Sequence, residues 1–173
     1  MTLLGAVGAD AGRIDQETSV NGAQNSAAFE VAPRIAAESV PLLDLRLCHV
    51  RLMDDARYPW LILLPRRPGL EEWTALSADD QSVLSHEIAH SGKALGEAAS
   101  FDKLNVAALG NIVRQMHVHV VGRRIDDAAW PDPVFGRGVR VPYAAAQRDD
   151  LAARLIARLK APHGVAAPGP ADR

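Results

Sequence analysis

The residues Gln115-Met116-His117-Val118-His119-Val120-Val121, followed by Gly122-Arg123-Arg124, constrain this chain more than any other stretch. Apolar and polar residues alternate there with period 2, the pattern of a β-strand. On that pattern Gln115, His117 and His119 share one face, and Met116, Val118 and Val120 share the other. Buried polar groups need partners, so an amide and two imidazoles in a row are a costly way to build a core. The stretch reads as an active site.

What surrounds it bounds the function. The chain has 173 residues and a formal net charge of -2, so one domain is expected and no global basic field recruits a nucleic acid polymer. An anionic ligand must therefore be held by a local site. Cys48 is the single cysteine, which excludes an intramolecular disulfide framework and fits a reducing compartment. No apolar run reaches the roughly 20 residues of a membrane helix. The N-terminus has no basic stretch and meets Asp10 early, so no secretory signal is expected. A cytoplasmic location follows as the expectation.

Residues 1–26, rich in Gly, Ala, Asn, Gln and Ser, are expected to form a mobile tail, and the Pro/Gly/Ala-rich residues 161–173 a disordered one. The domain is expected over 27–160. A short helix is expected over Phe29–Glu38, with Pro33 arguing against it. One strand is predicted from Leu42 to Leu52 by alternation of leucines with Asp44, Arg46 and Cys48. Asp54–Pro59 reads as a turn, and Trp60–Leu64 as a strand buried on both faces. Ser77 is a good N-cap for a helix to about Ala98, with Asp80 as a capping-box-like acid. A strand over Phe101–Val106, a turn or bulge at Gly110-Asn111 and a Pro/Gly-rich loop over 125–138 follow. A last helix is predicted over Tyr143–Lys160, with Leu151, Leu155, Ile156 and Leu159 as its stripe. The order of elements indicates an α+β fold.

These residues resemble the histidine triad (HIT) signature, His-x-His-x-His, with Gln115 in place of the first histidine. Leu61–Arg67 is similar to the family's apolar strand ending in Pro and a basic residue, and Trp130-Pro131-Asp132-Pro133 is similar to a bacterial branch. The resemblance spans roughly residues 40 to 136. It implies an antiparallel sheet of about five strands, one main crossover helix and a C-terminal helix. It also implies a nucleotide hydrolase or nucleotidyl transferase acting on the α-phosphorus of nucleoside polyphosphates, dinucleoside polyphosphates or nucleoside phosphoramidates. His117 would form a covalent nucleotidyl-histidine, with His119 and Gln115 beside it. The partner is then a small-molecule nucleotide, and a homodimer is expected by analogy. The covalent route requires no cofactor, and Mg2+ is compatible with a polyphosphate substrate.

Other ligand contacts are suggested more loosely. Asn105 and Asn111 either touch ligand or serve a strand end and a turn. Asp54 or Asp55 sits where the family places an acid or amide on the ribose, or is an Asx-turn residue. Arg123 and Arg124 either neutralise outer phosphates or end the strand in solvent. Trp130 packs over a base or over the rim. Where the family often has a hydroxyl residue, this chain has Ile112. With Gln115 this leaves room for a nucleotide-binding sensor with little turnover. The third reading is a zinc hydrolase through His86-Glu87-x-x-His90. Helical spacing puts His86 and His90 opposite Leu84, Ile88 and Leu95, so a polar solvent face is expected and no metal site.

Overall fold

The computed structural model describes residues 28–161, so the expected tails over 1–26 and from residue 162 lie outside the described residues. Trp60–Pro65 (β3) explains the layering. All six of its residues are buried. Leu61 and Leu63 enter one core, and Trp60, Ile62 and Leu64 enter a second core on the opposite face. Around β3 the sheet is assembled from Ser39–Asp44 (β1), Cys48–Met53 (β2), Lys103–Ala108 (β4) and Val118–Arg123 (β5). Its order is β1-β2-β3-β5-β4, with every neighbouring pair antiparallel. The helices Ala78–Ala98 (α2) and Ala145–Lys160 (α3) supply residues to the first core; Pro33–Glu38 (α1) and the loop around Ala129–Phe135 supply the second.

The strand predicted over Leu42–Leu52 is instead a hairpin, β1 turning into β2 at Leu45–Leu47. Leu45 N–H donates to the Cys48 carbonyl at 2.8 Å. Period 2 runs through the reversal because both arms carry leucines and valines, and no Gly or Asn marks the turn. What supports it is distant in sequence: the Glu87 carboxylate of α2 accepts from the Leu47 and Cys48 amides at 2.7 and 2.9 Å.

Pro33 does not prevent the first helix but begins it, where a missing N–H costs nothing. In α2 the Ser77 hydroxyl accepts from the Asp80 amide at 3.1 Å, as expected of an N-cap. The Asp80 carboxylate does not reach back to complete the box; Arg67 takes both its oxygens at 2.7 Å. Along β5, Val118 and Val120 point to the helices, while His119, Val121 and Arg123 lie on the other face. That second face carries the site.

Candidate active site

His119 is paired with Ile62 across β5 and β3, which brings its ring beside Trp60. Trp60 Nε1–H donates to His119 Nδ1 at 3.0 Å. An indole only donates, so Nδ1 is the acceptor and the neutral ring carries its proton on Nε2. Burial, with the neighbouring His117 adding to it, pushes the His119 pKa down to about 3. His119 is therefore a neutral donor throughout the physiological range.

His117 lies one residue before β5 and keeps the same face, its ring 4.8 Å from that of His119 and edge-on to it. Its Nδ1 is 2.6 Å from the Gln115 carbonyl oxygen. A carbonyl only accepts, so Nδ1 carries the proton, and in the neutral ring the lone pair is on Nε2. The two imidazoles thus present opposite chemistry: a lone pair on His117, an N–H on His119.

Both rings line a cavity of about 390 Å³. Its apolar wall includes Ile35, Trp60, Ile62, Val134 and Phe135, with the Phe135 ring 5.0 Å from that of His119. Arg34, Arg57, Arg137, Arg140, Glu38 and Asp55 supply its charge. Burial alone would raise the Asp55 carboxyl, but hydrogen bonds from the Arg57 guanidinium and from the Arg57 and Val141 amides hold it below the usual range. Arg57 grips both Asp55 oxygens at 2.9 and 2.6 Å and donates to the Arg137 carbonyl at 2.9 Å, tying down the loop that walls the cavity. Gly138 in that loop has φ 64°, a conformation that strains other residues, and a Cβ there would lie 2.7 Å from Arg57 Nη1 and push the guanidinium aside.

The structure divides the residues suggested by sequence. His117, His119, Asn111 and Asp55 line the cavity. Asp54 does not: it accepts from Arg140 and from the Tyr143 amide, both at 3.0 Å. Gln115 precedes β5, and its side chain joins the backbone of Glu30 and Ala32 instead of facing the cavity. Arg123 meets no ligand space. It is buried, with two bonds to the Asp127 carboxylate at 2.7 and 2.8 Å, one to Asn105 Oδ1 at 3.0 Å and one to the Asp132 carbonyl at 2.9 Å. Asn105 is thereby occupied, and Trp130 lies with its ring 5.7 Å from the Arg123 guanidinium. Sequence reasoning missed the cavity residues Trp60, Phe135, Arg34, Arg137 and Arg140. For Trp60 the only signal was its place on a buried strand; Arg34 sits on a helix of six residues, too short for its period to single out a face, and the others sit on a loop, where no period applies.

The His86-Glu87-x-x-His90 motif serves packing. Glu87 supports the β1–β2 turn, His86 Nδ1 faces the Ser82 carbonyl at 2.7 Å, and His90 Nε2 faces the Leu159 carbonyl at 2.9 Å. His90 is buried, contrary to the solvent face expected, because α3 covers that side of α2. Among the described residues no group of three or more His, Cys, Asp or Glu could hold a metal ion. Glu87→Ala leaves two buried amides without their acceptor, so a loss of about 2–4 kcal/mol in urea unfolding is expected with kcat unchanged. A zinc hydrolase would show the reverse, lost activity at unchanged stability.

The HIT domain model matches residues 34–126. The solved histidine triad protein of Bradyrhizobium japonicum is 39% identical with a TM-score of 0.74, covering 76% of this chain and 98% of its own. This chain belongs to the HIT family. A HIT protein from Sinorhizobium meliloti is 40% identical with a TM-score of 0.74, covering 77% of this chain and 98% of its own. One from Marinobacter aquaeolei is 40% identical with a TM-score of 0.73, covering 76% and 96%. No curated protein matches the chain. The family in general comprises nucleotide-binding hydrolases and transferases. No helix of this HIT protein, among the described residues, is long and apolar enough to cross a membrane. Its cavity wall at Val134–Arg140 is built from residues beyond the span that the family model matches.

The buried, uncharged His119 has a consequence for this HIT protein's acid stability. Its folded pKa of about 3 lies below the ordinary 6.5, so between these values the unfolded chain binds a proton the folded chain refuses. Stability is then fully present above pH 6.5 and falls as the pH drops, on the order of 1.4 kcal/mol per unit. Urea unfolding at pH 7 and pH 5 should show wild type losing about 2 kcal/mol more than His119→Asn. Equal losses would mean that His119 takes up a proton in the fold.

Proposed function

We propose that this HIT protein is a nucleotide hydrolase or nucleotidyl transferase working through a covalent nucleotidyl-His117. One observation carries the reading: the Gln115 carbonyl accepts from His117 Nδ1 at 2.6 Å, which puts the lone pair of the neutral ring on Nε2, the atom that must attack. In the first step Nε2 attacks the α-phosphorus, a P–N bond forms, and the bond to the leaving group breaks with its electron pair. In the second, water or another hydroxyl acceptor attacks phosphorus and gives up its proton to solvent, the P–N bond breaks with its electron pair returning to Nε2, and the imidazole is restored.

His119 Nε2–H donates to a non-bridging oxygen, where charge develops in the transition state. The amide of Asn111 adds a second donor where Ile112 has no hydroxyl. Ile35, Ile62, Val134 and Phe135 offer the base an apolar wall, and Asp55, its oxygens taken by Arg57 and the Val141 amide, holds that arginine at the edge of the cavity. Nucleoside polyphosphates, dinucleoside polyphosphates and nucleoside phosphoramidates share the attacked centre and are the substrate classes proposed. The route needs no cofactor, and any Mg2+ travels with a polyphosphate substrate. A homodimer is proposed by family analogy, and a cytoplasmic location from the free, buried Cys48.

The test is incubation with a panel of nucleotides radiolabelled at the α-phosphate, followed by acid quench at short times. An acid-labile, base-stable label on His117 is expected. Nucleotide bound without label or turnover would identify a sensor instead.

A further inference from the structure

We propose that Gln115 is a positioning residue whose side-chain amide staples residues 30–32 to the start of the triad strand while its carbonyl sets the His117 tautomer. One residue then holds both the nucleophile and a wall of its cavity. This rests on His117 being the nucleophile.

The Ala32 N–H donates to Gln115 Oε1 at 2.8 Å, and Gln115 Nε2 donates to the Glu30 carbonyl at 2.7 Å. These two backbone groups flank Val31, so the primary amide pairs with them as a peptide group of a neighbouring strand would. An amide offers a donor and an acceptor on one small planar group. A neutral imidazole has them on separate ring nitrogens aimed apart, and a carboxylate has no donor. That requirement accounts for Gln where the signature has His.

On one side of the staple, α1 follows at once, and its Arg34, Ile35 and Glu38 line the cavity. This helix has six residues and no side-chain cap, so it depends on what ties down its entry. On the other side, the Gln115 carbonyl accepts from His117 Nδ1 at 2.6 Å. The Met116 amide, donating to the Leu70 carbonyl at 2.9 Å, holds that peptide plane from its far end; the clamped Gln115 side chain holds it from the near end.

The experiment uses the full chain with Gln115→Met and Gln115→Glu. Met keeps the length and removes both bonds. Expected results are amide exchange at Ala32 at least about tenfold faster, 15N imidazole spectra showing His117 leaving the Nδ1–H form, and nucleotidyl-His117 formation slowed about tenfold, equivalent to about 1.4 kcal/mol of barrier. A protonated Gln115→Glu carboxyl has both an O–H and a C=O. Its rate relative to wild type should therefore recover as the pH falls through its titration and drop above it. Faster Ala32 exchange with an unchanged His117 tautomer and rate would reduce Gln115 to a fold staple. Unchanged Ala32 exchange would remove the clamp itself. If wild type forms no adduct with any nucleotide, the nucleophile reading fails, while the tautomer and exchange data still decide the role of Gln115.

Discussion

His117→Ala is expected to fold as wild type does and to lose turnover by at least about three orders of magnitude, on the order of 4 kcal/mol of barrier. The substitution removes the group that forms the P–N bond, and no neighbour can replace it. His119 is the nearest imidazole, but its Nδ1 accepts from Trp60 and its Nε2 carries the proton, so it presents no lone pair to phosphorus. Stability should change by only about 1 kcal/mol, because what is lost is the bond to the Gln115 carbonyl and the edge-on contact with His119, and the cavity that His117 lines lets water into the space its ring leaves. Single-turnover rates, urea unfolding and nucleotide binding measured together check this. A folded His117→Ala protein that turns over at the wild-type rate would end the covalent mechanism.

The largest effect on stability is expected from Arg123→Ala, about 3–5 kcal/mol. Arg123 is buried and the Asp127 side chain largely covered, the two are joined by two bonds, and hydrogen bonding to Arg123 holds the Asp127 carboxyl below its usual range. Removing the guanidinium leaves the Asp127 carboxylate without its counter-charge, held only by the Arg124 and Ala129 amides, and leaves Asn105 Oδ1 and the Asp132 carbonyl without their donor. The double change Arg123→Met with Asp127→Leu removes both charges and should recover only part of the loss, the part due to the uncompensated carboxylate, because Asn105 Oδ1, the Asp132 carbonyl and the Arg124 and Ala129 amides still lack their partners. Catalysis distinguishes this from a phosphate-binding arginine. At a temperature where the variant is folded, its KM for a polyphosphate substrate should match wild type. A KM raised tenfold at intact fold would return Arg123 to the substrate.

The same arginine shows where reading the sequence stopped. A basic residue at the end of a His-bearing strand suggests phosphate. What occupies Arg123 is a carboxylate four residues on in an irregular loop and an asparagine on β4, 18 residues away in sequence. Neither contact has a period. Gln115 failed to join the histidines for a related reason: the ladder begins at Val118, so alternation does not govern its side chain, and the backbone of Glu30 and Ala32 captured it.

By itself the sequence determined what depends on local geometry. The alternation of β5 puts His119 on the face opposite Val118 and Val120, and His117 one step earlier keeps it. The unbroken apolar run of β3 marks a strand covered on both sides, and Ser77 starts α2 because its hydroxyl caps an amide three residues on. Tertiary structure decided everything that depends on which distant groups meet. Glu87 made a turn that no turn residue announces, and α3 buried a histidine expected in solvent. Trp60 chose the tautomer of His119, and the Gln115 carbonyl that of His117. Periodicity tells which way a side chain points, because the backbone repeats; it does not tell which donor or acceptor the folded chain brings to meet it.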